Sequence, residues 1–151
     1  MELRIIQLGI IHLDDCIELD KKSLNVLWTT SQWERELNDP KKICIGAFEN
    51  NSTKLIGLCS SWLILNQLYL TALAVHPKRQ RQGIGKLILK DLINRVKAHG
   101  INQLILEVKD TNEPAKAFYK FMGFKLKGQR SNFYKDGNKA LIYTKELEEK
   151  S

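Results

Sequence analysis

Cysteine and proline are scarce, three of each in 151 residues, and no apolar run approaches the roughly 20 residues that span a bilayer. Cys16, Cys44 and Cys59 form no CxxC or Cys-x-His spacing, and three is the wrong number for a disulfide framework. Each lies in an apolar pattern and reads as a buried structural thiol. The three histidines are scattered, so no metal is expected. The opening Met1-Glu2-Leu3-Arg4 lacks the charged-then-apolar layout of a signal peptide, and the expected location is the cytoplasm.

What remains is an ordinary globular composition, 43% hydrophobic and 27% charged, at a length that suits one domain over residues 1–151. The charge is unevenly placed. Residues 1–70 carry seven Lys/Arg against nine Asp/Glu, and residues 71–151 carry seventeen against eight. A basic second half suits a polyanionic ligand, although it also serves solubility, and nucleic acid is a further option.

That half begins with Leu73-Ala-Val-His-Pro-Lys-Arg-Gln-Arg-Gln-Gly-Ile-Gly-Lys86. Strand-like residues lead into cationic and amide side chains, then two glycines one residue apart, then an amphipathic pattern with Leu89, Leu92, Ile93 and Val96 on one face. The first turn of such a helix offers N–H groups without intrahelical partners and the positive end of its dipole, which together form an anion site. A dinucleotide fingerprint needs a glycine where Ile88 stands, and a P-loop needs Ser or Thr where Leu87 stands.

The remaining elements follow from period and punctuation. Leu3–Leu8 reads as a strand and Leu13–Lys21 as a short helix with an acidic start and a basic end. Ser31-Gln32-Trp33-Glu34 has the form of a capping box opening a second helix, which Asn38-Asp39-Pro40 stops. Lys42–Glu49 and Lys54–Ile64 form a hairpin, and Gln67–Val75 adds a third antiparallel strand. Gly85 lies one turn before Leu89 and would let the following helix start close against the sheet; Gly100 ends that helix. Ile101–Val108 follows a helical crossover and should run parallel to its predecessor. Asn112 caps a last helix, with Pro114 in its first turn and Gly123 as its stop. Phe124–Gln129 and Lys139–Leu147 then close a hairpin. The order β-α-α-β-β-β-α-β-α-β-β describes an α/β protein with a mixed, mostly antiparallel sheet flanked by helices.

Two side chains stand out. Glu107 interrupts the strand Leu104–Val108, either because its face reaches water or because a carboxylate serves as general base there. Tyr119 lies on the apolar face of the last helix, either as a core aromatic or as a phenol that donates a proton.

Gln80-Arg81-Gln82-Gly83-Ile84-Gly85 resembles the Gln/Arg-x-x-Gly-x-Gly/Ala loop of the GCN5-related N-acetyltransferases (GNAT), whose element order is also the one above. Within that superfamily the chain is most similar to the bacterial ribosomal-protein-alanine N-acetyltransferases. Leu73–Pro77, Leu106-Glu107-Val108, Asn112, Ala117-Phe118-Tyr119, Met122-Gly123-Phe124 and Arg130–Tyr134 carry that similarity. The resemblance implies acetyl-CoA as co-substrate, with Arg81, Gln82, Gly83, Ile84, Gly85 and Lys86 on its pyrophosphate. It implies backbone donors at Leu73, Ala74 and Val75 for the thioester oxygen, where the fourth strand bulges and splays from the fifth. Asn112 would bond the pantetheine arm. It implies Glu107 as general base and Tyr119 as general acid in direct transfer to an amine, and no Cys falls in those segments to carry an acyl group. The acceptor it implies is a protein N-terminus, that of a ribosomal protein, with no membrane and no direct nucleic-acid role. A small amine or a lysine side chain, or a non-catalytic CoA- or RNA-binding module, are the alternatives. Trp28 and Asn132-Phe133-Tyr134 fall where the family builds its acceptor groove, as contacts or as packing.

Overall fold

The computed structural model describes residues 2–147. Among them, seven strands form one sheet: β1 (Leu3–Gln7), β2 (Lys42–Glu49), β3 (Leu55–Ile64), β4 (Gln67–Val75), β5 (Gln103–Lys109), β6 (Lys125–Arg130) and β7 (Ala140–Glu146). Their order across the sheet is β1-β2-β3-β4-β5-β7-β6. Every neighbouring pair is antiparallel except β4 and β5. Four helices cover the two faces: α1 (Leu13–Ser23) and α2 (Thr30–Asn38) on one, α3 (Ile84–Lys97) and α4 (Glu113–Phe121) on the other. The expected order of elements is the observed one. Cys16, Cys44 and Cys59 are buried and free, as expected.

α3 seats its apolar face, Ile84, Ile88, Leu89, Leu92, Ile93 and Val96, on the sheet. The glycine that permits this lies in the sheet rather than in the helix. A Cβ at Gly57 would come 2.7 Å from Ile88 Cδ1 and 3.3 Å from the Ala74 carbonyl. At Gly85 it would make only ordinary contacts, 3.7 Å from Phe118 Cζ and 3.8 Å from Val75 Cγ2. The close approach assigned to Gly85 is therefore corrected to Gly57.

A second correction concerns the start of α2. The capping box is Thr29 with Gln32, not Ser31 with Glu34: Thr29 Oγ1 accepts from Gln32 N at 3.1 Å, and Gln32 Oε1 accepts from Thr29 N at 2.8 Å. Both tetrads satisfy the capping rule, and tertiary packing decides between them. Starting at Thr30 sets Trp33 fully inside, with its Nε1 donating to Asp20 Oδ2 at 2.8 Å. Asp20 is itself buried and also accepts from Leu27 N at 2.7 Å and Trp28 N at 3.1 Å. One carboxylate thus takes the N–H groups of Leu27 and Trp28 in the α1–α2 link, where Asn25 and Val26 take positive φ. Asp20→Ala is expected to lower stability by about 3 kcal/mol in urea titration, because buried donors left without acceptors cost roughly 1–3 kcal/mol each.

The feature that shapes the sheet centre is a β-bulge in β4. Ser60 pairs with Ala72 and Ser61 with Leu70, so Thr71 is the extra residue. An inserted residue reverses side-chain alternation beyond it. Before it, Leu68 and Leu70 face the α3/α4 core; after it, Ala72 and Ala74 face the α1/α2 core while Leu73 and Val75 turn toward α3 and α4. Parallel pairing of β4 with β5 covers only Gln67–Tyr69 against Gln103–Ile105. Beyond Tyr69 the strands diverge. β5 keeps β7 as a partner along its full length, so the opening lies between the second half of β4 and the second half of β5.

Candidate active site

The opening is lined on one side by Leu73, Ala74 and Val75 and on the other by Leu106, Glu107 and Val108. Past the last β4–β5 pair, the β4 N–H and C=O groups on this edge have no strand to bond. Two side chains hold the far end of β4 in place: the Val75 carbonyl accepts from Ser23 Oγ of α1 at 3.0 Å and from Gln80 Nε2 at 3.1 Å. Ser23 did not stand out in the sequence, and Gln80 was read only as the first residue of the Gln80–Gly85 loop, not as a partner of β4. A hydroxyl at a helix end and an amide in a loop carry no signal of a partner in a distant strand.

Gln80 begins the loop that enters α3. A short 3-10 turn, Pro77–Arg79, precedes it, with His76 Nδ1 accepting from Lys78 N at 3.1 Å. Arg81 and Gly83 both have positive φ, +64° and +81°. Gly83 is the N-cap of α3 and supplies no side-chain cap. Glycine is at home at such a φ, whereas Arg81 adopts it against its preference. The first intrahelical bond is Leu87 N to the Gly83 carbonyl at 3.1 Å, so the N–H groups of Ile84, Gly85 and Lys86 project from the helix end without helical acceptors. Arg81 and Gln82 precede them in the loop, Gln82 Oε1 accepting from Arg79 Nε at 3.0 Å, and Lys86 Nζ lies 5.1 Å from the Phe121 ring centre. Sequence reasoning placed an anion site on Arg81 to Lys86; Ile84 to Lys86 form the first turn of α3, Gly83 is its N-cap, and Arg81 and Gln82 lie in the loop before it.

Glu107 and Tyr119 lie on opposite faces of the sheet. In β5, Leu104, Leu106 and Val108 pack into the α3/α4 core, so by strand alternation Glu107 points to the α1/α2 side. It lies opposite Ile142, about one-quarter exposed, with Arg130 Nη1 at 3.6 Å. The loop between β6 and β7 packs against the end of β5 next to this carboxylate. Lys109 is ion-paired with Asp136 and sits 5.5 Å from the Tyr134 ring centre, while Phe133 stacks edge-on to Tyr134 at 5.1 Å. Burial and the charge of Glu107 push the Tyr134 phenol above its ordinary range. Tyr119 packs on the other face, edge-on to Phe118 at 5.2 Å and to Phe124 at 5.5 Å. Burial, with a smaller contribution from Cys59, raises its phenol well above the usual tyrosine value, so it keeps its proton at any physiological pH.

Asn112 begins α4, its Oδ1 accepting from Ala115 N at 3.2 Å. Trp28 is a packing residue: it stacks edge-on to Trp33 at 4.7 Å against the α1/α2 core. A hydrogen bond with Cys44, together with burial, raises the Cys16 thiol, and burial raises that of Cys59, both far above the ordinary cysteine value. A buried thiol held protonated is no nucleophile.

The sheet is thus parted between two parallel strands, with a helix start that has no side-chain cap nearby in the chain. The model of the acetyltransferase (GNAT) family matches residues 13–124. This chain belongs to the GNAT family. It is an acyltransferase by that membership. The ribosomal protein bS18-alanine N-acetyltransferase of Haemophilus influenzae is 32% identical over 122 residues, which is 78% of this chain and 77% of that protein. The crystal structure of the ribosomal-protein-S18-alanine N-acetyltransferase from Escherichia coli superposes with a TM-score of 0.89 at 24% identity, covering 99% of this chain and 97% of that one. Arabidopsis thaliana NAA60 in complex with acetyl-CoA superposes with a TM-score of 0.87 at 14% identity, covering 97% and 99%. These two superpositions establish the GNAT fold. Among the described residues no helix is long and apolar enough to cross a membrane.

Proposed function

We propose that this protein transfers acetyl from acetyl-CoA to the α-amine of a protein N-terminus, the N-terminal alanine of a ribosomal protein, in the cytoplasm. The observation that carries the reading is the β4–β5 opening with a carboxylate on one face and a proton-holding phenol on the other. The named acceptor of the H. influenzae relative supplies the choice of amine. An N-terminal amine has a pKa near ~8 and is mostly protonated at neutral pH. It enters from the α1/α2 side, and Glu107, directly or through one water, takes its proton.

The neutral nitrogen then attacks the thioester carbon. Backbone N–H groups along Leu73–Val75 bond the oxygen as it becomes negative, each such preorganised donor being worth about 3 kcal/mol. As the tetrahedral centre collapses, the nitrogen gives its second proton to water, the C–S bond breaks, the electron pair stays on sulfur, and Tyr119 donates to it, any proton it gives up being replaced from solvent. Because this phenol holds its proton tightly, its effect is largest as a hydrogen bond while charge grows on sulfur. The coenzyme fits the residues present. Arg81, Gln82 and Lys86, with the N–H groups of Gly83, Ile84 and Gly85, suit a pyrophosphate, and Asn112 offers its amide to the pantetheine arm. At Gly85, the missing Cβ leaves the space between Val75 and Phe118 to that arm.

Incubating the protein with acetyl-CoA and a peptide library varied over its first three residues, read by mass spectrometry, tests the acceptor. Peptides beginning with alanine are expected to gain one acetyl group on the α-amine. Acetylation confined to lysine side chains or free polyamines would replace this acceptor with a side-chain or small-molecule amine.

A further inference from the structure

Arg79 is a cation in the approach to α3, yet its partners are protein groups. Its side chain is ion-paired with Glu49, the last residue of β2, and its Nε donates to Gln82 Oε1 at 3.0 Å. The ion pair is too exposed, 24% for Arg79 and 44% for Glu49, to add much to stability. Its place in the chain gives it another use.

Both ends of the connection are fixed. Glu49 is still in register with Leu3 of β1, and its carbonyl accepts from Ser52 N at 3.1 Å. Arg79 closes the 3-10 turn, its N donating to the His76 carbonyl at 2.8 Å. Between Arg79 and Gln82 lies Arg81, a residue other than glycine at φ +64°. Such a conformation persists where its surroundings over-determine it. The Arg79–Gln82 bond is a side-chain staple from residue i to i+3 that spans the strained position, and Glu49 ties the staple to the sheet. Gly83, the N-cap of α3, follows at once, so the direction of the helix start depends on how the chain leaves Gln82.

The staple also decides what Gln82 offers. A glutamine amide has an acceptor oxygen and an NH2 with two donors. With the oxygen accepting from Arg79, the donors remain for a ligand, which suits an anion. An unstapled side chain could turn its oxygen to a phosphate and be repelled. The guanidinium suits the task because its planar fork of donors serves a carboxylate and an amide together.

We propose that Arg79 is a positioning residue for the coenzyme: anchored on Glu49, it holds Gln82 and the turn at Arg81 in the form that receives the pyrophosphate. This rests on the acetyl-CoA reading above. The test is the affinity for acetyl-CoA, measured by calorimetry at about 0.3 M salt, where long-range charge effects are screened. Wild type is compared with Arg79→Met, Arg79→Lys, Gln82→Ala and the Arg79→Met/Gln82→Ala double variant. Thermal midpoints and kcat at saturating acetyl-CoA are measured alongside. Arg79→Met should raise Kd by about tenfold, the weight of one hydrogen bond to a charged group, with kcat within about twofold. Arg79→Lys should lose nearly as much, because a point charge cannot hold Glu49 and Gln82 together. Gln82→Ala should also cost about tenfold, and the double variant little more than either change alone, since both remove the same donor.

Wild-type affinity in Arg79→Met overturns the proposal. So does full recovery by Arg79→Lys, which would leave the charge alone as the cause. Losses that multiply to about a hundredfold in the double variant would make Arg79 an independent phosphate ligand and overturn it too. If wild type binds no acetyl-CoA, the coenzyme reading fails and the proposal with it. If Arg79→Met does not fold, Arg79→Lys and its double variant with Gln82→Ala decide by the same comparison.

Discussion

Replacing Glu107 by Gln is expected to lower kcat/KM for the amine by about a hundredfold or more at pH 7, the usual weight of a positioned base, with acetyl-CoA affinity unchanged within about twofold. The side chain stays the same size and its β5 position opposite Ile142 is undisturbed. What is lost is the proton acceptor. The defect should therefore depend on pH in a definite direction. Below the amine pKa of about 8 most acceptor is protonated and needs the base; above it the amine arrives neutral and needs the base less. The ratio of wild-type to variant rate should shrink steadily from pH 7 to pH 9.5. A ratio constant over that range would mean that Glu107 acts by orienting the acceptor or through its Arg130 contact rather than by accepting a proton. Steady-state kinetics across the pH series, with acetyl-CoA affinity from calorimetry, decides between them.

Tyr119→Phe is expected to cost about a hundredfold in kcat while leaving the fold and both KM values close to wild type. The ring packs against Phe118 and Phe124, and phenylalanine preserves those edge-on contacts while removing a hydroxyl whose charged form burial already disfavours. The sign of the pKa shift adds a second signature. A phenol raised above 10 loses its proton only as pH climbs past that raised value. The wild-type kcat profile should thus show no falling limb from this group up to pH 10, and the variant's profile should have the same shape at lower height. A single-turnover measurement isolates the step, since the loss belongs to C–S cleavage. A variant with wild-type single-turnover rate would make Tyr119 a packing residue only.

The order of elements was legible because each carries a local mark: period 2 or 3.6, a capping side chain, a stop at Pro40, Gly100 or Gly123. The boundaries shifted by a residue or two, and the start of α2 moved to Thr29 because a second tetrad fits the same local rule and burial of Trp33 chooses between them. The residues Arg81 to Lys86 stood out because glycines and cations ahead of a helical pattern mark a loop and a helix start without reference to the rest of the fold. Asp20 and Glu36 were not. Each looks in sequence like any acid on a polar helix face, and each is buried against partners 7 to 35 residues away. The bulge at Thr71 was equally silent, since Leu70-Thr71-Ala72 reads as uninterrupted strand. Glu107 and Tyr119 were visible as residue types out of place, but that they lie on opposite faces follows only from the register of β5 and the packing of α4.

The start of α3 has one further consequence. Gly83 brings no side-chain oxygen to the helix end, and a glycine in place of a capping Ser, Thr, Asn or Asp leaves a helix less stable by roughly a few tenths of a kcal/mol. An anion that accepts those N–H groups is then the missing terminal residue of the helix as much as a guest beside it. Part of its affinity is the folding free energy of α3, returned when the turn is completed, and ligand and helix should tighten and fray together. A serine or aspartate at that position, were the backbone to accept it, would finish the helix from within and compete with the anion for the same N–H groups. An incomplete element, in this sense, is how a small protein keeps a place open.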